Sequence, residues 1–129
     1  MTDPISHMIT SLKNASRAGK TTVTVPFSAM KEAVADCLVR HKFLDNVQKK
    51  TKAGLPFLEL TLAYFGGKAV LSEVRRISKP SRRLYMGVRS IPTIKSGKGA
   101  LILSTPKGIL GDKEAKSGLV GGEVLFEVW

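Results

Sequence analysis

A single cysteine, Cys37, rules out an internal disulfide and leaves no cysteine pair at metal-ligand spacing. Histidine is nearly as scarce. His7 and His41 are the only two, they fall on different expected helices, and neither is expected to have a Cys, Asp or Glu partner at ligand spacing. Nucleophile–base and metal–water chemistry both need such convergent groups, so no catalytic site, metal or cofactor is expected. No apolar run approaches the roughly 18–20 residues that would cross a bilayer. The opening Met1-Thr2-Asp3-Pro4 carries an early acid and no basic segment leading into an apolar one, so neither a signal peptide nor an Arg-rich transit peptide is expected. These shortages together point to a reducing cytoplasm and no membrane partner.

Acidic residues are the other shortage. Ten Asp and Glu stand against 21 Lys and Arg, a formal net charge of +11, and such an excess attracts polyanions. Between Glu73 and Asp112 no acid occurs at all. That interval holds Arg75, Arg76, Lys79, Arg82, Arg83, Arg89, Lys95, Lys98 and Lys107. A shorter run would read as a solvated surface. One this long repels itself, and a polyphosphate partner would relieve the repulsion by releasing condensed counterions. With 43% hydrophobic residues over 129 positions, the chain can still bury a core.

The order of elements reads as α+β. Asp3 caps a first helix, Pro4 suits its first turn, and Ile5, Met8, Ile9, Leu12 and Ala15 fall on one face, with Gly19 as the stop. Thr21 to Val25 is a short strand ended by Pro26. Ser28 caps a second helix with Met30, Ala33, Val34, Cys37 and Leu38 as its buried stripe. Strands are expected over Phe43–Val47 and Phe57–Leu62, with a polar turn from Lys49 to Gly54 between them. Gly66-Gly67 marks the expected boundary between subdomains 1–66 and 67–129. The second half is expected to be β-rich: strands at Ala69–Ile77, Arg82–Met86 and Ala100–Leu103, a turn at Ser78-Lys79-Pro80-Ser81, helical turns at Gly111–Lys116, and an alternating strand at Glu123–Val128. Two small packed subdomains follow, N-terminal helices on a short sheet and a C-terminal β-rich unit.

Two chemical leads fail on spacing. Ser96-Gly97-Lys98-Gly99 lacks the upstream glycine and the hydroxyl after lysine that a nucleotide phosphate loop needs. Asp112 and Glu114 read as solvated charges at a helix start. Three clusters remain. In Ser104-Thr105-Pro106-Lys107-Gly108, two hydroxyls can meet a base or ribose, Lys107 a phosphate, and Gly108 allows close backbone approach. As a bare turn the same residues would also be ordinary. Lys79-Pro80-Ser81-Arg82-Arg83-Leu84-Tyr85 interleaves cations with an aromatic able to stack on a splayed base. Gly121-Gly122-Glu123 opens the last strand with an acid that could orient a cation or accept from a base amino group.

In this order the clusters resemble the ribosomal protein S-eight family of the small subunit. The likeness runs through Asp3-Pro4-Ile5, Met8-Ile9, Asn14-Ala15, Leu58-Glu59-Leu60 and Arg75 to Pro80. It continues into Ser104 to Ile109 and Gly118 to Val124. It implies two packed α+β subdomains and binding to the central domain of small-subunit ribosomal RNA, as a monomer within the ribosome that helps assembly. By position it implies RNA contacts from Ser104, Thr105, Lys107 and Gly108, packing of Tyr85 on a base or ribose, and support from Glu123. Thr2, Lys13 and Lys20 would add phosphate contacts. A contact with the fifth small-subunit protein and repression of the protein's own operon are further implications. Two departures stand out: Pro106 replaces a more usual serine, and Ser81-Arg82 a glycine and an apolar residue. The competing reading of the same charge is a general nucleic-acid-binding protein outside the ribosome.

Overall fold

The computed structural model describes residues 4–92 and 99–129. Thr2, the expected cap Asp3, Lys95 and the Ser96-Gly97-Lys98 stretch lie outside them. The chain divides into two compact units, Pro4–Ser72 and Glu73–Trp129.

In the first unit, α1 (Pro4–Arg17) buries Ile5, Met8, Ile9, Leu12 and Ala15, the stripe its spacing predicts. The strand β1 (Thr22–Pro26) follows, then α2 (Ala29–Arg40), whose Ser28 cap accepts the Lys31 N–H at 3.1 Å. The α2 stripe differs from expectation. Val34, Cys37 and Leu38 are buried, but so are Lys31 and Ala35, while Met30 is exposed. The buried line runs 31–34–35–38, and Met30 lies one residue, about 100° of helix, off it. Lys31 can join that line because its methylene stem is apolar. His41 caps the end of α2 four residues after Cys37, so these two do share a helical spacing, contrary to expectation.

Strands β2 (Leu44–Lys52) and β3 (Leu55–Leu62) form a longer hairpin than expected. Lys49 to Lys52 continue the ladder, and only Ala53-Gly54 turn. Both turn residues have positive φ, 52° and 78°, the geometry of a two-residue hairpin loop. The polar side chains of β2 are tolerated because it is an edge strand, the sheet order being β1-β3-β2. On β3, Leu58, Leu60 and Leu62 are buried, and Phe57, Glu59 and Thr61 alternate with them. Gly66-Gly67, the expected boundary, is the turn of a small hairpin between β4 (Tyr64–Phe65) and β5 (Lys68–Ala69).

The continuous strand expected at Ala69–Ile77 is broken at Val70–Glu73. Its ends pair with different partners, β5 with β4 and β6 (Val74–Arg76) with the last strand, so the ladder cannot run through. The second unit then contains β7 (Tyr85–Met86), a 3₁₀ turn at Val88–Ser90, β8 (Ala100–Thr105), β9 (Gly108–Gly111), α3 (Asp112–Ser117) and β10 (Gly122–Val128). β9 was not anticipated; Gly108, Ile109 and Leu110 pair directly back on Thr105, Ser104 and Leu103. The order is β6-β10-β8-β9, with β7 pairing the start of β10. β10 is not a simple alternating strand. A bulge at Leu125 shifts the register, and every residue from Val124 to Val128 is buried. The Arg76 guanidinium and the Ile77 N–H both donate to the bulged Leu125 carbonyl, at 2.6 and 3.1 Å. One face of this sheet packs Leu101, Leu103 and Val124 with Ile91 and Ala115. Leu103→Ala should therefore cost about 2–5 kcal/mol, read as a lowered urea midpoint at unchanged m-value.

Candidate nucleic-acid interface

Strand register decides which polar groups meet. Glu123 on β10 lies directly opposite Tyr85 on β7 and Ser104 on β8, and Ser104 lies opposite Ile109 on β9. Directly paired residues project to the same face. Tyr85, Glu123 and Ser104 therefore form one row across three strands, while their neighbours Met86, Val124 and Leu103 face the packed cluster beneath. Residues separated by 38 positions in sequence thus make a single strip.

The two ends of the strip are open. Tyr85 is 69% exposed, and among the described residues its hydroxyl has no partner. The Ser104 hydroxyl likewise forms no bond among the described residues, and Ser104 is half-buried. The centre is closed. Glu123 accepts the Ser78 hydroxyl on Oε2 at 2.6 Å and Arg83 Nη1 on both oxygens at 3.2 Å. Its side chain is only 13% exposed, so it faces the protein's own donors and does not stand ready to accept from a base.

Pro106 and Lys107 form the tight turn between β8 and β9, with Thr105 and Gly108 paired at its base. Within it Thr105 Oγ1 donates to the Gly108 carbonyl at 2.8 Å and accepts the Lys107 N–H at 3.1 Å. That hydroxyl mainly shapes the turn. Pro106 occupies an exposed turn position where its fixed φ is useful, and Gly108, at φ 115°, adopts a backbone that side chains disfavour. Lys107 Nζ donates to the Gly118 carbonyl at 3.0 Å. A neutral carbonyl anchors the ammonium and leaves its charge uncompensated.

The Lys79–Arg83 segment is a closed turn, with Lys79 and Arg82 exchanging backbone bonds at 2.9 and 3.0 Å. Ser81 and Arg82 are therefore compatible with turn geometry here. Lys79 and Arg82 are exposed, and their side chains have no partner among the described residues. Lys13, which has an interaction of its own, and the exposed Lys20 belong to the first unit, whereas the strip is built within the second.

Three residues matter more than composition and spacing suggest. Ser78, fully buried, accepts the Leu84 N–H at 3.1 Å while donating to Glu123. A Cβ at Gly121 would collide with the Met86 carbonyl, and one at Gly122 with the Ser104 carbonyl. The glycine pair was noticeable in the sequence; that it sets inter-strand approach was not. Gly122→Ala should displace the Ser104–Gly108 turn and cost more than about 1 kcal/mol. Gly87→Ala, where a Cβ meets open space, should be near neutral in the same denaturant titrations.

The fold and strip define a small basic α+β protein whose distinctive surface is a polar row with exposed Lys79, Arg82 and Lys107 on the adjoining turns. The ribosomal protein S8 family model matches residues 3–129. The small ribosomal subunit protein uS8 of Ruegeria pomeroyi is 44% identical over 100% of both chains. The protein of the same name from Delftia acidovorans is 43% identical over 99% of this chain and 98% of its own. The chain belongs to the ribosomal protein S8 family, which is structural and not enzymatic.

Proposed function

We propose that this chain is an RNA-binding scaffold of the bacterial small ribosomal subunit, acting in the cytoplasm on the central domain of small-subunit ribosomal RNA and supporting its assembly. The observation that carries this reading is the Tyr85–Glu123–Ser104 row, open at both ends, with Lys107, Lys79 and Arg82 around it. Tyr85 offers an aromatic face for stacking, and Ser104 offers a donor and acceptor to a base edge or ribose hydroxyl. Lys107, whose ammonium donates to the Gly118 carbonyl, offers an uncompensated charge to a phosphate. Lys79 and Arg82 add cations that position without specifying. Thr105, Pro106 and Gly108 contribute through the shape of the turn. Lys13 and Lys20 of the first unit would add phosphate contacts, Thr2 is a further candidate by resemblance, and the fifth small-subunit protein is the expected neighbour. The same strip would serve repression of the protein's own operon if a messenger copies the ribosomal site.

Filter-binding titrations against the irregular helix of the ribosomal RNA central domain that the family resemblance implies as target (the ribosomal helix) and a scrambled hairpin of equal length, each at two salt concentrations, test the reading. Tight, salt-sensitive binding to the ribosomal helix alone is expected. Lys107→Ala should weaken both RNAs and lower the salt slope by about one. Ser104→Ala should cost about 1–3 kcal/mol on the ribosomal helix only. Equal affinity of the unaltered protein for both RNAs would leave a general nucleic-acid-binding protein as the better description.

A further inference from the structure

Removing an acid from a basic protein ordinarily strengthens its grip on RNA. Glu123 is placed so that the opposite should happen. Its carboxylate is nearly covered, takes a bond from a fully buried residue, and holds an arginine whose side chain is 56% exposed. We propose that Glu123 is a positioning residue for Arg83, fixed by Ser78, and that this chain of bonds aims the Arg83 guanidinium at an RNA phosphate beside Tyr85. The proposal rests on the RNA-binding reading above and deepens it.

The geometry supplies each link. Ser78 is pinned to β10 by its N–H, which donates to the Val124 carbonyl at 3.1 Å. The Val124 N–H in turn donates to the Leu84 carbonyl at 2.9 Å, so both ends of the Lys79–Arg83 turn are tied to one residue of the central strand. The Ser78 hydroxyl is saturated in a directed way: it accepts from Leu84 N and gives its only proton to Glu123 Oε2. Glu123 cannot swing out without leaving that proton buried and unpaired. Arg83 engages the carboxylate through Nη1 alone, and among the described residues Nε and Nη2 have no partner. Those atoms carry three N–H donors on a rigid plane, the geometry that grips a phosphate through two bonds. An exposed ion pair on mobile side chains would achieve little. Here one partner is immobilised by the core, so the arginine loses less freedom on meeting RNA.

The test uses the full-length protein, the ribosomal helix and the scrambled hairpin. Glu123→Gln should weaken the ribosomal helix about tenfold while leaving the scrambled hairpin unchanged or bound more tightly, because one negative charge is gone. Ser78→Ala, which leaves the charge unaltered, should reproduce the loss on the ribosomal helix, and Ser78→Thr should restore it. Arg83→Ala should lower the salt slope by about one, and Glu123→Gln added to it should cause no further loss on the ribosomal helix. Thermal unfolding verifies that each variant is folded at the assay temperature; if Glu123→Gln is not, Ser78→Ala alone and combined with Arg83→Ala decides. Tighter binding of both RNAs by Glu123→Gln, or an undiminished loss in the Arg83→Ala background, would overturn the proposal. If the unaltered protein does not distinguish the two RNAs, the RNA-binding reading itself fails. If it does distinguish them and the Glu123 and Ser78 variants bind as it does, only the positioning role fails.

Discussion

Backbone-to-backbone approach at Gly121-Gly122 is the constraint on which the strip depends. A side chain at either position would collide with a neighbouring strand, Gly121 with Met86 and Gly122 with Ser104. With hydrogen there, β10 closes on β7 and β8 together, and Glu123, the next residue, falls between Tyr85 and Ser104. The glycines contribute no chemistry of their own. They set the spacing at which three side chains from distant parts of the chain become neighbours, and a strand with a Cβ at either position would hold them apart.

The same strand joins the strip to the core. Glu123 projects to the polar row, and Val124 projects into the cluster with Leu101, Leu103, Ile91 and Ala115. Beyond them the bulge at Leu125 re-registers the strand so that both its faces are buried. A bulge leaves a carbonyl outside the regular ladder, and here Arg76 and Ile77 satisfy it. A row of polar groups built on a strand this fixed is rigid at its backbone. What remains adjustable is a few side-chain torsions, which suits recognition of a folded RNA better than of a flexible one.

Much of this was legible in advance because periodicity reports burial. The α1 stripe and the β3 alternation follow from residue spacing alone, and Ser28 was recognisable as a cap. The departures at β2 and at Ala69–Ile77 share a cause: partners far away in sequence. β2 reads as a polar turn after Val47 because its lysines carry no strand pattern; its pairing with β3 carries the strand to Lys52. The stretch from Ala69 to Ile77 is apolar enough for one strand, but its two ends belong to different sheets. Met30 and Lys31 exchanged roles because hydrophobicity ranks methionine inside, whereas the helix phase set by Val34 and Leu38 puts Lys31 there. In the strip, the open groups Tyr85 and Ser104 were visible as chemistry. Ser78 was visible only as a turn residue, since nothing local indicates that its hydroxyl meets an acid 45 positions later.

Charge and geometry do separate jobs in this molecule. The excess of Lys and Arg attracts any polyanion, and that attraction carries no sequence information. Selectivity has to come from groups whose positions are fixed before RNA arrives. On this surface the groups held by the protein itself include Thr105 within its turn and Arg83 on Glu123. An acid amid the basic surface weakens the general attraction slightly. By holding one guanidinium in a single place, it lets that cation discriminate between a phosphate in the right position and one that is merely near. On the proposed reading, selectivity among RNAs gains more from such a fixed cation than from another free one.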